Sequence, residues 1–152
     1  MKAIAAMDPN RVIGYKGKIP WHLPEDFKWF KQKTLESRQM VMGRDTFQSV
    51  GALPNRFTYV LTTDHTLLAL PPLAQYRYVT PDFFNNESYD DLWVCGGTKT
   101  YQLLLPRCTE VYMTHVLDTY EGDAYMPEFE DHFPNQEIIK ESRDFWIVKY
   151  SR

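Results

Sequence analysis

Asp26 is the acidic residue whose neighbours most favour a chemical role. It follows Pro24 and Glu25 at a predicted helix start, where proline fits the first position and acids complement the positive end of the helix dipole. Asp26 and Phe30 are four residues apart, so both can lie on one face of that helix. An inward carboxylate could bind a ligand. The alternative is an acid that stays in solvent at a helix start, which the helix rules alone favour.

The segment before this helix favours the functional alternative. Residues 11–24 form a long predicted loop with two glycines, two prolines and Trp21. Loops of this length without secondary structure are usually functional or disordered, and the apolar residues here argue against disorder. We therefore expect this loop to cover a pocket that contains Asp26.

Two glycine motifs predict sites for phosphate groups. Gly43 leads from a predicted strand into a helix that begins with Arg44, and backbone N–H groups at a helix start can bind phosphate oxygens. Gly96 and Gly97 lie between the predicted strand at residues 92–95 and the predicted helix at residues 98–105. Because glycine has no Cβ atom, a phosphate group can approach the backbone closely there. The alternatives are a surface arginine that caps a short helix and an ordinary tight turn.

Composition and charge exclude several function classes. The net charge of −3 gives no general attraction for nucleic acid, and no apolar run is long enough to cross a membrane. The four histidines show no metal-ligand spacing with the cysteines, so we expect no metal. Cys95 and Cys108 could form one disulfide, but two reduced thiols are the simpler expectation.

Predicted strands and helices alternate along the chain. We predict strands at residues 2–7, 39–42, 57–62, 76–80, 92–95, 109–115 and 145–150, and helices at residues 24–35, 44–50 and 98–105. This order indicates an α/β domain with crossover helices on a mostly parallel central sheet. Residues 112–117 and 145–150 lack an intervening helix, so we expect an antiparallel strand at the C-terminal end. With 152 residues, we expect a single domain spanning residues 1–152.

Several motifs together resemble the dihydrofolate reductases. Residues 11–14, 20–27 and 29–31 are similar to that family's flexible active-site loop and acid-bearing helix, and residues 42–47 and 94–101 match later motifs in the right order. The resemblance covers nearly the whole chain. It implies the family's single-domain three-layer α/β/α fold. It also implies NADPH-dependent reduction of 7,8-dihydrofolate to 5,6,7,8-tetrahydrofolate, which serves one-carbon metabolism and thymidylate supply.

The resemblance also implies which residues form the site. The implied catalytic residues are Asp26, Trp21, Ile19 and Tyr101. The implied substrate-binding residues are Ile4, Ala5, Ala6, Asp26, Phe27, Phe30, Ser49, Val50, Leu53, Arg56, Cys95 and Thr114. The implied NADPH-binding residues are Ala6, Ile13, Gly14, Ile19, Gly43, Arg44, Thr46, Thr62, Thr63, Gly96, Gly97, Thr98, Lys99, Thr100 and Tyr101.

Individual roles follow from the same resemblance. Asp26 would hydrogen-bond the amino-pyrimidine edge of the pterin and accept a hydrogen bond from Thr114. Arg56 would clamp the glutamate α-carboxylate, to which a guanidinium is matched. Residues 62–63 would meet the adenosine 2′-phosphate. Asp123, in a second loop, would bind the backbone of the active-site loop.

Three residues depart from the family pattern. Asp45 stands where a basic residue is frequent, so its carboxylate either points away from the cofactor phosphates or pairs with Arg44. Cys95 replaces an aliphatic pocket residue, and we interpret it as a small buried apolar side chain. Thr98 replaces a third glycine. It should still fit, because backbone donors bind the phosphate.

In the implied mechanism the cofactor supplies a hydride to pterin C6, and N5 takes up a proton through an ordered water near Trp21. Asp26 polarises the pterin. Burial raises the pKa of this carboxyl while the helix start lowers it, and the sequence leaves the outcome open. We expect a cytoplasmic monomer that binds dihydrofolate and antifolates such as trimethoprim and methotrexate, and neither nucleic acid nor membrane.

Two other functions remain in view at the level of sequence. The pyrimidine reductases of riboflavin synthesis share the fold and the use of NADPH, but they lack the helix in which Asp26 stands. A non-catalytic binding module would have no reason to keep an acid, a phosphate-binding arginine and a carboxylate clamp in register. The context of Asp26 therefore favours the reductase.

Overall fold

A computed structural model describes all residues, 1–152, and contains ten strands and four α-helices. The strands are β1 (Lys2–Met7), β2 (Val12–Gly14), β3 (Gln39–Gly43), β4 (Phe57–Leu61), β5 (Tyr76–Val79), β6 (Trp93–Val94), β7 (Glu110–Val116), β8 (Ala124–Tyr125), β9 (Asn135–Glu141) and β10 (Phe145–Ser151). The helices are α1 (Pro24–Ser37), α2 (Arg44–Val50), α3 (His65–Leu68) and α4 (Thr98–Leu104). No helix is both long and apolar enough to span a membrane.

Eight strands form the central sheet, in the order β5-β4-β3-β6-β1-β7-β10-β9. The strands from β5 to β7 are mutually parallel, whereas β10 is antiparallel to both β7 and β9. The mostly parallel α/β sheet with an antiparallel C-terminal strand is thus confirmed. The sheet also contains β9, which was not predicted and which forms the edge outside β10.

Both faces of the central strands of the sheet are buried, as the crossover helices of a layered α/β fold require. In β3, Met40 and Met42 belong to one apolar cluster, while Val41 between them belongs to the other. Successive side chains of a strand point to opposite faces. The near-continuous apolar run of β3 therefore serves two cores.

Helix α1 carries the acid that the sequence singled out. Pro24 begins the helix, and Glu25 and Asp26 lie in its first turn, as predicted. The helix runs to Ser37 rather than Leu35, and Arg38 ends it in the left-handed conformation (φ 61°) while its N–H binds the Thr34 carbonyl. Strand β3 then begins at once, so α1 is fixed closely against the sheet.

The segment predicted as one long loop contains a short strand. β2 pairs antiparallel with β8, and an isolated bridge joins Tyr15 to Lys18. The prediction of a loop without secondary structure over residues 11–24 is therefore wrong for residues 12–14. This two-stranded sheet is too short to show a sequence period, but it ties the loop before α1 to a distant part of the chain.

Candidate active site

The Asp26 carboxyl lies inside the protein with 6 % of the residue's surface exposed. Its Oδ1 accepts a hydrogen bond of 2.6 Å from the Thr114 hydroxyl on β7. This is the one side-chain hydrogen bond that the structure gives the carboxyl. The structure therefore confirms both the inward orientation of Asp26 and its contact with Thr114.

The sequence left open whether the pKa of Asp26 is raised or lowered, and in the structure the effect of burial is the largest. Removal from water raises the pKa of the Asp26 carboxyl above its ordinary value, while the Thr114 hydrogen bond and the positive charge of Lys140 lower it by less. Lys140, on the edge strand β9, also pairs with Glu25 across 3.5 Å. Sequence reasoning missed Lys140, since a lysine in a polar, exposed strand carries no signal of a site.

Apolar side chains from three parts of the chain pack beside this acid-bearing helix. Ile4, on β1, belongs to one cluster against which Phe30, Leu53 and Cys95 pack, so these implied pocket residues are brought together. Ala6 pairs with Thr114 in the sheet register, so the backbone of β1 runs beside the Asp26 contact. Ala5, Ala6 and Phe27 are half-buried.

Cys95 is half-buried, and its Sγ lies 3.5 Å from the Trp93 carbonyl. Burial raises the pKa of its thiol far above the usual value, so the group stays neutral. Both cysteines are free. The interpretation of Cys95 as a small apolar side chain is consistent with this geometry.

Tyr101 fixes α4 to the strand at the centre of the sheet. Its hydroxyl donates a 2.7 Å hydrogen bond to the Ile4 carbonyl, and its ring lies about 3.5 Å from the place where a Gly96 Cβ would stand. Burial raises the pKa of Tyr101 well above its usual value. Tyr101 is therefore a neutral, fixed donor.

The two glycine motifs meet at the carboxyl ends of β3 and β6. The Gly43 N–H donates to the Gly96 carbonyl at 2.9 Å, and the Gly96–Gly97 peptide is cis. A Cβ on Gly43 would lie 2.9 Å from the Thr100 hydroxyl, and one on Gly97 would lie 3.2 Å from the Thr46 hydroxyl. The bare backbone at Gly43, Gly96 and Gly97, here called the cradle, lets the two turns pack against these hydroxyls, and backbone without Cβ atoms suits the close approach of a dinucleotide's phosphates.

The polar side chains around this cradle differ in their exposure to solvent. Thr100 is buried, whereas Lys99 is exposed. The Thr98 hydroxyl donates to the Tyr125 carbonyl at 2.9 Å. This bond directs the Thr98 side chain to β8, and the fit of a hydroxyl residue beside a phosphate stays a prediction.

Arg44 begins α2 and lies between two carboxylates. Its guanidinium is 3.7 Å from Asp45 and 3.6 Å from Asp64. The Asp45 side chain is 92 % exposed, so it both points into solvent and pairs with Arg44. Nearby, the Thr62 hydroxyl accepts the Asp64 N–H at 3.0 Å, while Thr63 is exposed.

Arg56 is almost fully buried, with 7 % of its surface exposed. Its Nε donates to the Pro54 carbonyl and its Nη1 to the Thr34 hydroxyl, each at 3.1 Å. These two bonds fix the plane of the guanidinium and leave Nη2 free of protein partners. A turn arginine without a ligand would more often lie in solvent.

Besides Thr63 and Lys99, three residues implied at the site are exposed in this structure: Ile19, Ser49 and Val50. Ile19 is 52 % exposed and Val50 is 46 % exposed, and Ser49 donates its hydroxyl to the Gly17 carbonyl at 2.6 Å. These side chains lie at the loop and at the end of α2, outside the apolar cluster. Ser49 therefore contacts the active-site loop itself.

The active-site loop is fastened at several points. Asp123 accepts the Lys16 N–H at 3.0 Å and donates its own N–H to the Gly14 carbonyl at 3.0 Å, which confirms the expected partner. Ile13 and Gly14 are half-buried within β2. A Cβ on Gly122 would overlap the Val12 side chain. The loop thus depends on a second loop more than 100 residues away.

Asp8 is a buried anchor that sequence reasoning missed. Its carboxylate, 1 % exposed as a residue, accepts N–H groups from Asn10 (2.9 Å), Val12 (2.8 Å) and Tyr120 (2.9 Å). The Asp-Pro-Asn sequence is typical of a turn, and that signal was available. The contact with Tyr120 had none, because it joins distant segments.

Trp21 stands at the start of the acid-bearing segment with 4 % of its surface exposed. Its ring packs edge-on against Tyr120, with centroids 5.4 Å apart. Its Nε1 is buried and has no hydrogen-bond partner in the protein. A buried donor of this kind usually has a water or ligand partner.

Comparisons with known proteins agree on one family. The family model described as dihydrofolate reductase matches residues 1–145. The dihydrofolate reductase of Buchnera aphidicola from Acyrthosiphon pisum is 38 % identical over 133 residues, which covers 83 % of this chain and 78 % of that protein. The dihydrofolate reductase of Bacillus subtilis is 37 % identical over 131 residues, covering 84 % and 76 % of the two chains.

A solved structure is similar over almost the whole length. It is dihydrofolate reductase from Enterococcus faecalis complexed with NADP(H) and RAB-propyl, with a TM-score of 0.79 and 32 % sequence identity. The match covers 99 % of this chain and 95 % of that one. The likeness therefore extends to the strands that carry the site described above.

Proposed function

Because this chain belongs to the dihydrofolate reductase family, we propose that it reduces 7,8-dihydrofolate by hydride transfer to pterin C6 and protonation at N5, at a pocket built on Asp26. Membership makes it an NADPH-dependent oxidoreductase, which excludes a non-catalytic module. The observation that carries the proposal is the buried Asp26 carboxyl with a single side-chain hydrogen bond.

Asp26 is assigned the role of anchor and polariser of the pterin. Thr114 occupies part of Oδ1, so Oδ2 remains for N–H donors from the amino-pyrimidine edge. In a water-poor site such a charge-assisted pair is strong. A carboxylate held there raises the basicity of the bound ring. Asp26 is not the direct donor to N5.

The proton for N5 is assigned to an ordered water at Trp21. The unpartnered, buried Nε1 of Trp21 can donate to such a water and orient it. Tyr101 and Ile19 are proposed to complete the catalytic set, the first by fixing the Ile4 carbonyl on β1 through its hydroxyl and the second as an apolar cover. Closing Ile19 over the ring would exclude water during the transfer.

NADPH, when bound, supplies the hydride. The glycine cradle suits its pyrophosphate, because backbone without Cβ atoms allows phosphate oxygens to approach closely. Arg44 and Thr63 are proposed to face its 2′-phosphate. The other residues proposed to line the cofactor site are Ala6, Ile13, Gly14, Thr46, Thr62, Gly96, Thr98, Lys99 and Thr100.

Substrate is proposed to lie along α1 and β1. The apolar pocket would be lined by Ile4, Ala5, Ala6, Phe27, Phe30, Ser49, Val50, Leu53 and Cys95. Arg56 would bind the glutamate α-carboxylate, since its two protein hydrogen bonds fix the guanidinium and leave donors unused. Ser49 and Val50 would join this pocket at its rim.

The product, tetrahydrofolate, would enter one-carbon metabolism and support thymidylate supply. We propose that the 152 residues act as one domain, as a cytoplasmic monomer that binds antifolates and neither nucleic acid nor membranes. Replacing Gly122 or Asp123 is expected to slow hydride transfer without removing the pocket, since both hold the active-site loop.

Replacing Asp26 tests the proposal directly. We expect purified protein to oxidise NADPH when dihydrofolate is added, measured as loss of NADPH absorbance. Asp26→Asn should lower turnover at pH 7 by about a hundredfold or more, the range expected when one electrostatic stabilising group is lost. Activity should recover partly in acid, where the substrate protonates before it binds, while NADPH affinity stays unchanged.

Glu25→Gln is the matched control, because Glu25 lies in the same helical turn but its side chain is 63 % exposed. We expect this variant to keep most of its activity. Unchanged turnover in Asp26→Asn at pH 7 would contradict the assigned role, and no NADPH oxidation by folded wild-type protein would contradict the function itself.

A further inference from the structure

Two charged residues from different strand ends face each other beside the cofactor cradle. β3 and β4 are parallel neighbours, and Gly43 pairs with Leu61 in their register. Arg44 follows the first strand, and Asp64 follows the second within three residues. Both therefore leave the sheet at the same edge, and their side chains meet across 3.6 Å.

The Asp64 carboxylate is held in this position by the backbone of α3. Its Oδ1 accepts the Thr66 N–H at 2.8 Å, so Asp64 caps the helix, while its Oδ2 is the atom that faces Arg44. The Asp64 N–H is in turn bound to the Thr62 hydroxyl. The negative charge beside Arg44 is thus built into the turn.

The exposure of the three side chains ranks their electrostatic weight. Arg44 and Asp64 are 42 % and 39 % exposed, while Asp45 is 92 % exposed. Solvent screens the Asp45 charge most, so Asp64 is the stronger partner of the guanidinium. At this edge of the sheet one arginine is balanced by two carboxylates.

The chemistry of the two dinucleotides differs at this place. The 2′-phosphate of NADPH brings a charge of about −2 at neutral pH, whereas NADH has a neutral 2′-hydroxyl there. In dinucleotide sites an arginine favours the phosphate and an acidic residue favours the hydroxyl. This chain has both kinds of residue in contact.

Resting on the proposed function, we propose that Asp64 is a positioning residue that weakens the preference of this enzyme for NADPH over NADH. Its carboxylate pairs with the Arg44 guanidinium, which would otherwise be free to bind the 2′-phosphate. Its negative charge also repels that phosphate. The wild-type enzyme consequently discriminates less strongly against NADH than a variant without the Asp64 charge, and neutralising Asp64 strengthens the selection for the phosphorylated cofactor.

The test uses Asp64→Asn, because asparagine also caps helices and so preserves the contact with Thr66 while it removes the charge. Affinities for 2′-AMP and 5′-AMP are measured by calorimetry on the wild-type protein and the variant. We expect 2′-AMP to bind about three to ten times more tightly to Asp64→Asn, with 5′-AMP unchanged. KM for NADPH should fall by a similar factor, with kcat unchanged.

Asp45→Asn is the matched control, since it removes a charge of the same kind from the screened side of Arg44. We expect it to tighten 2′-AMP binding by less than about twofold. Asp64→Glu keeps the charge and should behave like the wild-type protein.

Two outcomes would overturn the inference: equal affinities for 2′-AMP in Asp64→Asn and wild type, or an equal gain for both nucleotides. Either can occur in a protein that still reduces dihydrofolate with NADPH, and then the proposed function stands. Failure of that function appears separately, as a wild-type protein that leaves NADPH unoxidised.

Discussion

The pocket at Asp26 and the edge at Arg44 both contain charged side chains, but solvent affects them differently. Asp26 is 6 % exposed and has one side-chain hydrogen bond, so removal from water dominates its protonation. Arg44 is 42 % exposed and has two loose ion pairs. A single hydrogen bond therefore has a large effect on the protonation of Asp26. The electrostatic environment of Arg44 depends instead on the sum of several charges that solvent screens.

Among the tests that compare the two regions, the largest effect is expected from removing the one side-chain hydrogen bond of Asp26. Thr114→Val keeps the shape of the side chain but removes the hydroxyl that lowers the pKa of Asp26. The pKa should rise further, and activity at neutral pH should fall by about tenfold, since hydrogen bonds to charged groups are strong. The pH profile of kcat/KM measures both changes. Thr114→Ser is the control, and a profile identical to wild type in Thr114→Val would contradict the assignment.

A smaller effect is expected from salt, which should act on the charges around Arg44 more than on Asp26. Raising the salt concentration from about 0.05 M to about 0.5 M should weaken NADP+ binding by roughly three- to fivefold, because the charges at Arg44 are exposed. The midpoint of the pH profile set by Asp26 should move little. Titration calorimetry and steady-state kinetics on the same protein check the two expectations. If the midpoint moves with salt while the affinity for NADP+ stays constant, the conclusion that solvent screens Arg44 more than Asp26 is wrong.

The smallest effect is on stability. Because burial raises the folded-state pKa of Asp26 above its ordinary value of 3.8, the favourable contribution of the protonated form is complete below that value and is lost as pH rises through the folded-state pKa. Asparagine does not ionise, so the Asp26→Asn variant does not lose stability in this way as the pH rises. Its melting temperature at pH 8 should exceed that of wild type by about 2–4 °C, and the difference should vanish below about pH 4.

Glu25→Gln provides the control for this measurement as well, since its side chain is 63 % exposed and should give no gain that grows with pH. Calorimetric melting at several pH values is sufficient. A difference between Asp26→Asn and wild type that is independent of pH would show that packing, rather than ionisation, is responsible.

Most of the sheet could be predicted because its strands are short apolar runs bounded by turn residues. The prediction for β1 matches the observed bounds, and β3 to β7 agree within two residues. β9 was missed because its sequence is largely polar and all seven of its residues are exposed. Its neighbour β10, rather than a hydrophobic face, holds it in the sheet.

The site was predictable where motif residues are close in sequence and less so where contacts join distant segments. Asp26 could be placed by its own helix and the loop before it. The resemblance supplied Thr114, which lies 88 residues away. Asp64 and Lys140 could not be found in either way, because their effects depend on which strands are neighbours.

The order of strands in the sheet also bears on how the chain folds as it is made. β9 precedes β10 in sequence but lies outside it in the sheet, and β10 is its only strand partner. During synthesis, which proceeds from the N-terminus, β9 leaves the ribosome before its strand partner β10. Its exposed charges, Glu137, Lys140 and Glu141, keep this waiting edge from pairing with other chains. Because β10 lies between β7 and β9, β9 can join the sheet only when β10 has been made.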